Sequence, residues 1–407
     1  MNSGEAAEGA EDSEAQSAEA DRMHDVAIVG AGPSGAWAAC LLARRGARVV
    51  LVDPSHPREK PCGGGITGRA LALVDQVLPQ PLPAVAIRRA RFLDGSTGRS
   101  AAVDLTSHDA LVVSGRAAFD GLLLSAAREA GAELASSRAV DVRRAAPGFA
   151  IDTADGRTLT APVIVGADGA NSLVRRRLFR PFTRRQLSIA TGFFVHGATS
   201  DEILLEFVAD PPGYIWSFPR PDHLAVGICA AADAGVTSSA LRVITRRWIE
   251  RSGVARGALL EPYSWPIPSL SGHDLNAPIV AGSGWYLVGD AAGAVDPITR
   301  EGIFFALQSA SFAAHAIAGA SENAECQYAE RMQAEVISEL RRAARLKDAF
   351  FRPQFTRLLI EALQRSAPIR GVMADLVAGV QSYRGLKWRL ARTLEISYAA
   401  KALAALL

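Results

Sequence analysis

The sequence predicts an α/β protein that combines a parallel sheet, a second domain with an antiparallel sheet, and a helical C-terminal region. Residues 25–53 follow the order strand, glycine turn, helix, strand, which is a βαβ unit and implies a parallel sheet with a right-handed crossover. Residues 186–229 contain four short apolar or alternating strands separated by turns, which indicates an antiparallel sheet. From residue 325 onwards the pattern is helical.

The individual elements follow from apolar periodicity and from glycine or proline punctuation. The apolar run 25–30 predicts a buried strand, and Gly46 ends the helix that follows it. Residues 54–68 are rich in proline and glycine and are predicted to be a loop. The other predicted elements are helices 36–45, 119–130, 238–252 and 302–319, strands 47–52, 163–165, 186–195, 203–208, 213–218, 223–229 and 284–288, and C-terminal helices broken near Pro353, Pro368 and Gly385.

Composition excludes several classes of protein. The chain has 407 residues, of which 49% are apolar and 21% charged, so it can bury a sizeable core and is neither disordered nor collagen-like. Four cysteines without a CxxC pair argue against a disulfide scaffold or a cysteine zinc site, and a net charge of +2 argues against a nucleic-acid binder. Histidine spacing suggests no metal site. Cys40, Cys229 and Cys326 fall in apolar segments and are predicted to be core residues.

The N-terminal segment differs from the rest of the chain. Residues 1–22 hold seven acidic residues and one basic residue, and they are predicted to form a disordered tail. The segment lacks the basic start and apolar run of a signal peptide, and no apolar stretch of about 20 residues follows elsewhere. A cytoplasmic location is therefore the default expectation.

A glycine turn joins the first predicted strand to its helix. Gly30, Gly32 and Gly35 fit the pattern GxGxxG, and the next strand ends in Asp53. The first glycine permits a tight turn, the second lets a pyrophosphate approach the backbone, and the third lets the helix pack on the sheet. The helix start at Ser34 offers free N–H groups to phosphates, and Asp53 suits an adenosine ribose. The alternative is a glycine turn in an ordinary α/β sheet.

Distant segments indicate which dinucleotide binds. A predicted strand ends in Asp168-Gly169, another ends in Gly289-Asp290, and Arg116-Ala-Ala-Phe-Asp120 precedes a helix. The GxGxxG turn and the segments ending in Asp168-Gly169 and Gly289-Asp290 resemble, in this order, the fingerprints of FAD-dependent proteins with the p-hydroxybenzoate hydroxylase fold. That family also carries an Arg-x-x-(Phe/Leu)-Asp pattern, which Arg116 begins in this sequence. The resemblance implies a Rossmann-like FAD domain in which Asp290 binds the ribityl chain, Asp168 lies beside the cofactor and Arg116 lies near the pyrophosphate. The helix start at Gly302 and Ile303 is expected to present N–H groups to the flavin pyrimidine.

The electron donor must come from outside the chain. Only one GxGxxG pattern, Gly30 to Gly35, lies between a predicted strand and a predicted helix, so no second Rossmann domain is predicted to hold NADPH. Reduced nicotinamide that binds transiently, or another carrier such as ferredoxin, is therefore the expected donor.

Two local motifs narrow the family. Lys60-Pro-Cys62-Gly63-Gly-Gly65 follows the Asp53 strand, and Tyr214-Ile-Trp-Ser-Phe-Pro-Arg220 lies in the predicted antiparallel sheet. Together they resemble the geranylgeranyl reductase family. The resemblance implies flavin-dependent saturation of isoprenoid double bonds, with substrates such as geranylgeranyl diphosphate, chlorophyll precursors, ether lipids or quinones.

The motifs supply the candidate catalytic residues. Tyr214, Trp216 and Phe218 share one face of a strand, and they form either an aromatic wall of a substrate pocket or part of an ordinary core. Cys62 is a candidate proton donor, a redox partner of the flavin, or only a small residue that fits, and Gly63 belongs to its cofactor-facing loop. Lys60 faces a diphosphate or the flavin, or is solvated.

One position departs from the family pattern. The family usually follows its Gly-Asp segment with Pro-x-Thr-Gly-Glu-Gly-Ile, whereas this chain has Arg300 in place of the first glycine of that pattern. Arg300 either binds an anionic head group of the substrate or stands at an ordinary φ and points to solvent.

The C-terminal segment allows two interpretations. Leu386, Leu390 and Leu394 recur among basic residues before an apolar end, so the C-terminus either lies on an anionic membrane or packs as a helix on the substrate domain.

The resemblance leaves two rival functions, which are a flavin monooxygenase or halogenase of the same fold and a non-catalytic protein that binds flavin or lipid. The expected domains are a tail at 1–22, a discontinuous FAD domain at 23–80, 106–182 and 276–325, a substrate domain at 81–105 and 183–275, and a helical region at 326–407.

Overall fold

The computed structural model describes residues 24–78, 81–105, 110–255 and 257–393. The predicted acidic tail and the apolar end after residue 393 lie outside these residues. Within them, no helix is both long and apolar enough to cross a membrane.

A six-stranded sheet forms the base of the predicted FAD domain. Val26–Val29 and Val49–Val52 are fully buried, as continuous apolar strands are when helices cover both faces of a parallel sheet. Every neighbouring pair is parallel except the first in the spatial order, so the predicted parallel sheet is confirmed. In that order the strands are Ala281–Gly282, Trp285–Leu287, Val163–Gly166, Val26–Val29, Val49–Val52 and Glu133–Ala135.

Helices pack against this sheet and against one another. Pro33–Ala43 contacts both Arg116–Glu129 and Ile303–Ala318, so the helices predicted at 36–45, 119–130 and 302–319 are present with slightly shifted ends. Smaller elements complete this part of the chain: helices Gly68–Leu71, Asp75–Val77, Leu173–Leu178, Arg184–Gln186 and Gly289–Ala292, and an antiparallel sheet of Ala139–Arg144, Phe149–Thr153 and Thr158–Ala161.

A seven-stranded sheet forms the second large layer. It is antiparallel, as predicted, apart from one parallel pair between Arg89–Asp94 and Glu202–Ala209. Helix Ser238–Ser252 covers one of its faces, begins at the side-chain cap of Thr237 and ends at Gly253 with φ of +70°. In spatial order the strands are Leu259–Pro268, Leu187–His196, His223–Ala231, Pro212–Pro219, Glu202–Ala209, Arg89–Asp94 and Ser100–Asp104.

The C-terminal helices cover the other face of this sheet. Ile360 and Leu363 join the apolar cluster that the sheet presents on that side. The break predicted near Pro368 is present at Ser366, where helix Pro353–Arg365 ends and helix Ala367–Val377 begins. Pro368 lies in the first turn of the second helix, where its missing N–H is not needed. The helices in this region are Ala324–Arg331, Met332–Ile337, Ser338–Phe350, Pro353–Arg365, Ala367–Val377 and Leu386–Arg392.

Two smaller expectations are also corrected. Residues 65–67, predicted as loop, form a strand in a three-stranded sheet with Ala84–Ala86 and Leu111–Ser114. Cys40 and Cys229 are buried, but Cys326 is exposed because it lies on the outward face of an amphipathic helix. The predicted domain boundaries themselves stay a prediction.

Candidate active site

The glycine turn forms a cradle at the carboxyl edge of the parallel sheet. Gly30 adopts φ of +101°, and a side chain there would strike the Ala167 carbonyl of the neighbouring strand. A side chain at Gly35 would overlap the Gly30 carbonyl oxygen, so the helix can pack this closely only without one. Helix Pro33–Ala43 begins at Gly32 without a side-chain cap, which leaves its first N–H groups for an anion.

The other predicted FAD segments meet this cradle. A side chain at Gly289 would lie 2.9 Å from Ser34 Oγ, and the Gly289 N–H donates to Ser309 Oγ at 2.9 Å. Gly302 caps helix Ile303–Ala318, and a side chain there would lie 3.6 Å from Asp290 Oδ1. The arrangement fits FAD, because a phosphate cradle, a carboxylate for a polyol and a second helix start share one edge of the sheet. The residues that would hold it are Gly30, Gly32, Ser34, Gly35, Asp290, Gly302 and Ile303.

Gly32 and Gly35 provide a matched pair of substitutions. Gly35→Ala places a methyl group on the Gly30 carbonyl, so we expect overpacking of about 1–3 kcal/mol and a loss of FAD affinity of roughly 5-fold to 150-fold. At Gly32 a methyl group meets nothing closer than the His56 ring at 3.6 Å. Gly32→Ala should therefore leave thermal stability unchanged and lower FAD affinity only. Calorimetric titration with FAD, beside thermal unfolding of the apoprotein, measures both quantities.

The control for this pair is Gly371→Ala, at a helical position where an added methyl group meets no atom within 4 Å. It should bind FAD as the wild type does. If Gly32→Ala also binds FAD as tightly as the wild type, the second glycine does not face the pyrophosphate.

Asp53 fixes the turn that follows its strand. One carboxylate oxygen accepts from the Ala31 N–H at 3.0 Å and from His56 Nδ1 at 2.9 Å, and the other accepts from the Ser55 N–H at 2.8 Å. Burial opposes ionisation, but these bonds and the His56 charge outweigh it and lower the pKa of Asp53. Its contact with a ribose stays a prediction.

A row of buried charged groups leads from Asp53 to Cys62. His56 Nε2 lies 3.6 Å from Asp120 Oδ2, and Asp120 pairs with both ends of the Arg116 guanidinium at 2.8 and 2.7 Å. Arg116 is 3% exposed and also interacts with the Cys62 thiol. Burial opposes the charge of Arg116, but the Asp120 carboxylate outweighs it and raises the Arg116 pKa. The predicted contact of Arg116 with the pyrophosphate stays a prediction.

His56 makes the stability of this region depend on pH. Burial favours its neutral form, but hydrogen bonds and charges from Asp120 and Asp53 outweigh burial and raise the His56 pKa. This stabilisation is complete below the ordinary histidine pKa of about 6.5 and is lost as pH rises through the folded-state pKa. We expect the urea midpoint of FAD-saturated protein to fall with rising pH across this window. The fall should shrink in His56→Gln and persist in His273→Gln, which alters an exposed histidine; equal falls in all three proteins would refute the assignment.

The glycine loop at residues 60–65 and the aromatic strand at residues 214–220 are in direct contact. A side chain at Gly63 would lie 2.7 Å from Phe218 Cδ2, so the glycine loop lies flat against this ring. Arg220, which is fully buried, donates from Nη2 to the Cys62 carbonyl at 2.6 Å and pairs through Nη1 with Glu59. The structure thus brings together two motifs that lie far apart in the sequence.

The aromatic strand faces the segment that follows Asp290. Tyr214 OH donates to the Thr299 carbonyl at 3.1 Å, and the Tyr214 and Trp216 ring centroids lie 6.0 Å apart. Phe351, at the end of helix Ser338–Phe350, stacks on Tyr214 at 6.2 Å. Tyr214 and Trp216 are 8% and 6% exposed, so the aromatic face is covered by the C-terminal helices.

The remaining charged residues of the predicted site differ in their partners. Lys60 Nζ donates to Asp290 Oδ2 at 3.1 Å, which favours neither the diphosphate nor the solvated alternative. Asp168 accepts from the Leu173 and Val174 N–H groups and so caps the next helix. Arg300 is half-buried at φ of +62°, so the alternative of an ordinary φ and a solvent-directed side chain is wrong.

Sequence reasoning gave no role to several residues of this site. Asp120 could have been found, because it follows Arg116 at the i,i+4 spacing of a helical ion pair. Glu59 accepts from the N–H groups of Arg116 and Ala117 at 3.1 Å, and no local pattern signals that contact. The pairing of His56 with Asp120 likewise depends on the fold alone.

Comparisons with known proteins agree with this geometry. The profile of the FAD binding domain family matches residues 23–252. The chain is 30% identical over 385 residues to the chloroplastic geranylgeranyl diphosphate reductase of Oryza sativa subsp. japonica, covering 87% of this chain and 78% of that protein. It is 29% identical over 352 residues to the digeranylgeranylglycerophospholipid reductase of Methanothrix thermoacetophila, covering 81% and 88% respectively.

The fold is shared with a solved structure. A geranylgeranyl bacteriochlorophyll reductase-like protein from Thermoplasma acidophilum matches with a TM-score of 0.77 at 23% identity, covering 91% of this chain and 99% of that chain. The cradle, the meeting of the two motifs and these similarities lead to one conclusion. The chain belongs to the geranylgeranyl reductase family of FAD-dependent oxidoreductases.

Proposed function

We propose that this enzyme saturates carbon–carbon double bonds of an isoprenoid. The observation that carries the proposal is the contact between the Cys62 loop and the aromatic strand, beside the segment that joins Asp290 to Gly302. The contact supports the proposal, because the glycine loop meets Phe218 and the Tyr214 hydroxyl meets Thr299, which lies between Asp290 and Gly302. Two relatives that are 29% and 30% identical to this chain are named as reductases of geranylgeranyl compounds, which supports the same substrate class.

The aromatic face would bind the prenyl chain by burial. An isolated alkene has no polar group that could form a hydrogen bond, but each buried methylene contributes about 0.8 kcal/mol to the free energy of binding. Tyr214 and Trp216 are buried beneath the C-terminal helices, so a chain that enters beside them would be shielded from water. FAD, when bound in its reduced form, would supply a hydride to one alkene carbon, and the buried aromatic side chains would exclude water from that transfer.

Cys62 would supply the proton to the other alkene carbon. Its Sγ accepts from the Gly64 N–H at 3.3 Å and interacts with the Arg116 guanidinium, so these contacts hold the thiol in place within the glycine loop. The hydride and this proton together saturate the bond. Solvent can return the proton, because Cys62 is only half-buried.

The electrons would come from reduced nicotinamide or from ferredoxin. Only one GxGxxG pattern, Gly30 to Gly35, has the strand and helix context of a dinucleotide site, and its assignment to FAD supports transient binding of such a donor. Anaerobic reduction of the enzyme by NADPH and by reduced ferredoxin, compared side by side, identifies the donor.

Anaerobic single turnover tests the reaction. Photoreduced enzyme is mixed with geranylgeranyl diphosphate under argon, and flavin reoxidation is followed by absorbance. The mass of the product is then measured by mass spectrometry. We expect reoxidation together with a product that has gained two hydrogen atoms. A flavin that reoxidises only when oxygen is admitted, with a hydroxylated or halogenated product, would instead show the monooxygenase or halogenase function. A flavin that no prenyl compound reoxidises would leave the non-catalytic binding function.

A further inference from the structure

Two cationic side chains converge on one neutral hydroxyl next to the aromatic strand. Arg300 Nη1 and Lys347 Nζ donate to Ser269 Oγ at 2.7 and 2.8 Å. Ser269 is 3% exposed and follows strand Leu259–Pro268, while Lys347 lies in helix Ser338–Phe350. The three residues come from separate parts of the chain, so the tertiary fold alone brings these charges together.

The backbone at Arg300 is strained to place its side chain here. Its φ of +62° lies in the left-handed region, which favours glycine, and the family motif usually has glycine at this position. The Arg300 N–H donates to the Asp296 carbonyl at 3.0 Å, which holds the turn. A long charged side chain at such a position indicates that the guanidinium itself has a role.

The two charges lack an anionic partner. Among residues 24–78, 81–105, 110–255 and 257–393, no carboxylate lies within ion-pair distance of Arg300 or Lys347. Arg300 Nε is buried without a hydrogen-bond partner in the same part of the chain. Burial and the Arg300 charge lower the pKa of Lys347, and Asp348 and Asp233 oppose this only from a distance. Two like charges on one hydroxyl would be relieved by an anion.

The cationic pair lies at one end of the aromatic face. Thr299, the residue before Arg300, accepts the Tyr214 hydroxyl. Phe351, which follows the helix of Lys347, stacks on the same tyrosine ring. A ligand with an apolar chain on the aromatic strand could therefore reach the cations with a head group at its end.

We propose that Arg300 and Lys347 form a subsite for the phosphate group of an isoprenoid substrate. The proposal rests on the proposed function and deepens it, because it favours phosphate-bearing isoprenoids over quinones and free prenyl alcohols. A prenyl diphosphate and a prenylated glycerophospholipid carry the same phosphate chemistry, and the test distinguishes them.

Calorimetry on the FAD-loaded, oxidised enzyme tests the subsite. The probes are geranylgeranyl diphosphate, geranylgeraniol, menaquinone and vesicles containing digeranylgeranylglycerophospholipid. We expect wild type to prefer a phosphate-bearing probe, and whichever of the two binds tighter identifies the source of the phosphate. Arg300→Gly restores the family residue and relieves the backbone strain. It should lower the affinity for that probe roughly 10-fold to 100-fold, the range for hydrogen bonds to charged groups. Geranylgeraniol binding should stay unchanged.

Two further variants sharpen the result. Lys347→Gln should act in the same direction as Arg300→Gly, while Arg345→Gln, an exposed arginine on the same helix, should bind every probe as wild type does. The proposal is overturned if wild type binds the alcohol as tightly as the phosphate-bearing probes, or if Arg300→Gly leaves the phosphate preference intact.

The same samples separate this proposal from the proposed function. If wild type prefers the diphosphate but does not reduce it anaerobically, the subsite stands and the reductase function falls. If wild type reduces diphosphate and alcohol with equal KM, and Arg300→Gly does so too, the reductase function stands and the subsite falls.

Discussion

Cys62→Ala is expected to slow alkene reduction by roughly 100-fold to 10,000-fold, the range that a positioned general acid contributes. The thiol lies in the glycine loop, accepts the Gly64 N–H and interacts with Arg116, so its removal deletes the proposed proton donor while the FAD cradle keeps its residues. The measurement is the rate of anaerobic flavin reoxidation by geranylgeranyl diphosphate in a single turnover. The FAD content of the variant should equal that of wild type.

The matched control is Cys326→Ala, which removes an exposed thiol far along the chain and should react at the wild-type rate. Cys62→Ser should recover part of the rate, because a hydroxyl can still donate a proton although it is a weaker acid. If Cys62→Ala reacts as fast as wild type, the proton comes from another group, and Cys62 is only a small residue that fits the loop.

Arg220→Met is expected to lower the free energy of unfolding by about 1–3 kcal/mol, the cost of leaving hydrogen-bonding groups without their partner. The Arg220 side chain is fully buried, pairs with Glu59, donates to the Cys62 carbonyl and lies over the Phe194 ring. Methionine fills similar space without these bonds, so Glu59 loses its cationic partner and the Cys62 loop loses its link to the aromatic strand. Urea unfolding of the FAD-saturated protein measures the loss.

Two comparisons show whether the loss comes from the pair of Arg220 and Glu59. Arg157→Ala breaks an ion pair with Asp155 in which both side chains are largely exposed, and it should leave the urea midpoint almost unchanged. Glu59→Gln combined with Arg220→Met should cost less than the sum of the two single substitutions, because the residues share one interaction. Additive losses, or a stable Arg220→Met protein with normal turnover, would mean that Arg220 does not hold the two motifs together.

The local sequence was sufficient to predict the glycine cradle at the carboxyl edge of the parallel sheet. Gly30 and Gly35 are recognisable because a positive φ and a close helix–strand contact each exclude side chains at a fixed spacing. The strand Val26–Val29 is recognisable because its continuous apolar run has no polar face. The exposed position of Cys326 was missed, because an apolar neighbourhood in sequence does not specify which face of a helix meets the core.

The sequence by itself determined the fold class, the FAD cradle and the family, since turn glycines, buried strands and motif spacing depend on neighbours within a few residues. The tertiary structure alone decided how the charged groups pair. Arg220 and Cys62 are 158 positions apart, Lys60 and Asp290 are 230 apart, and Arg300 and Lys347 meet only at Ser269. Such contacts arise where separate layers pack, and a buried charge takes whichever partner the packing brings within reach, which no local pattern records.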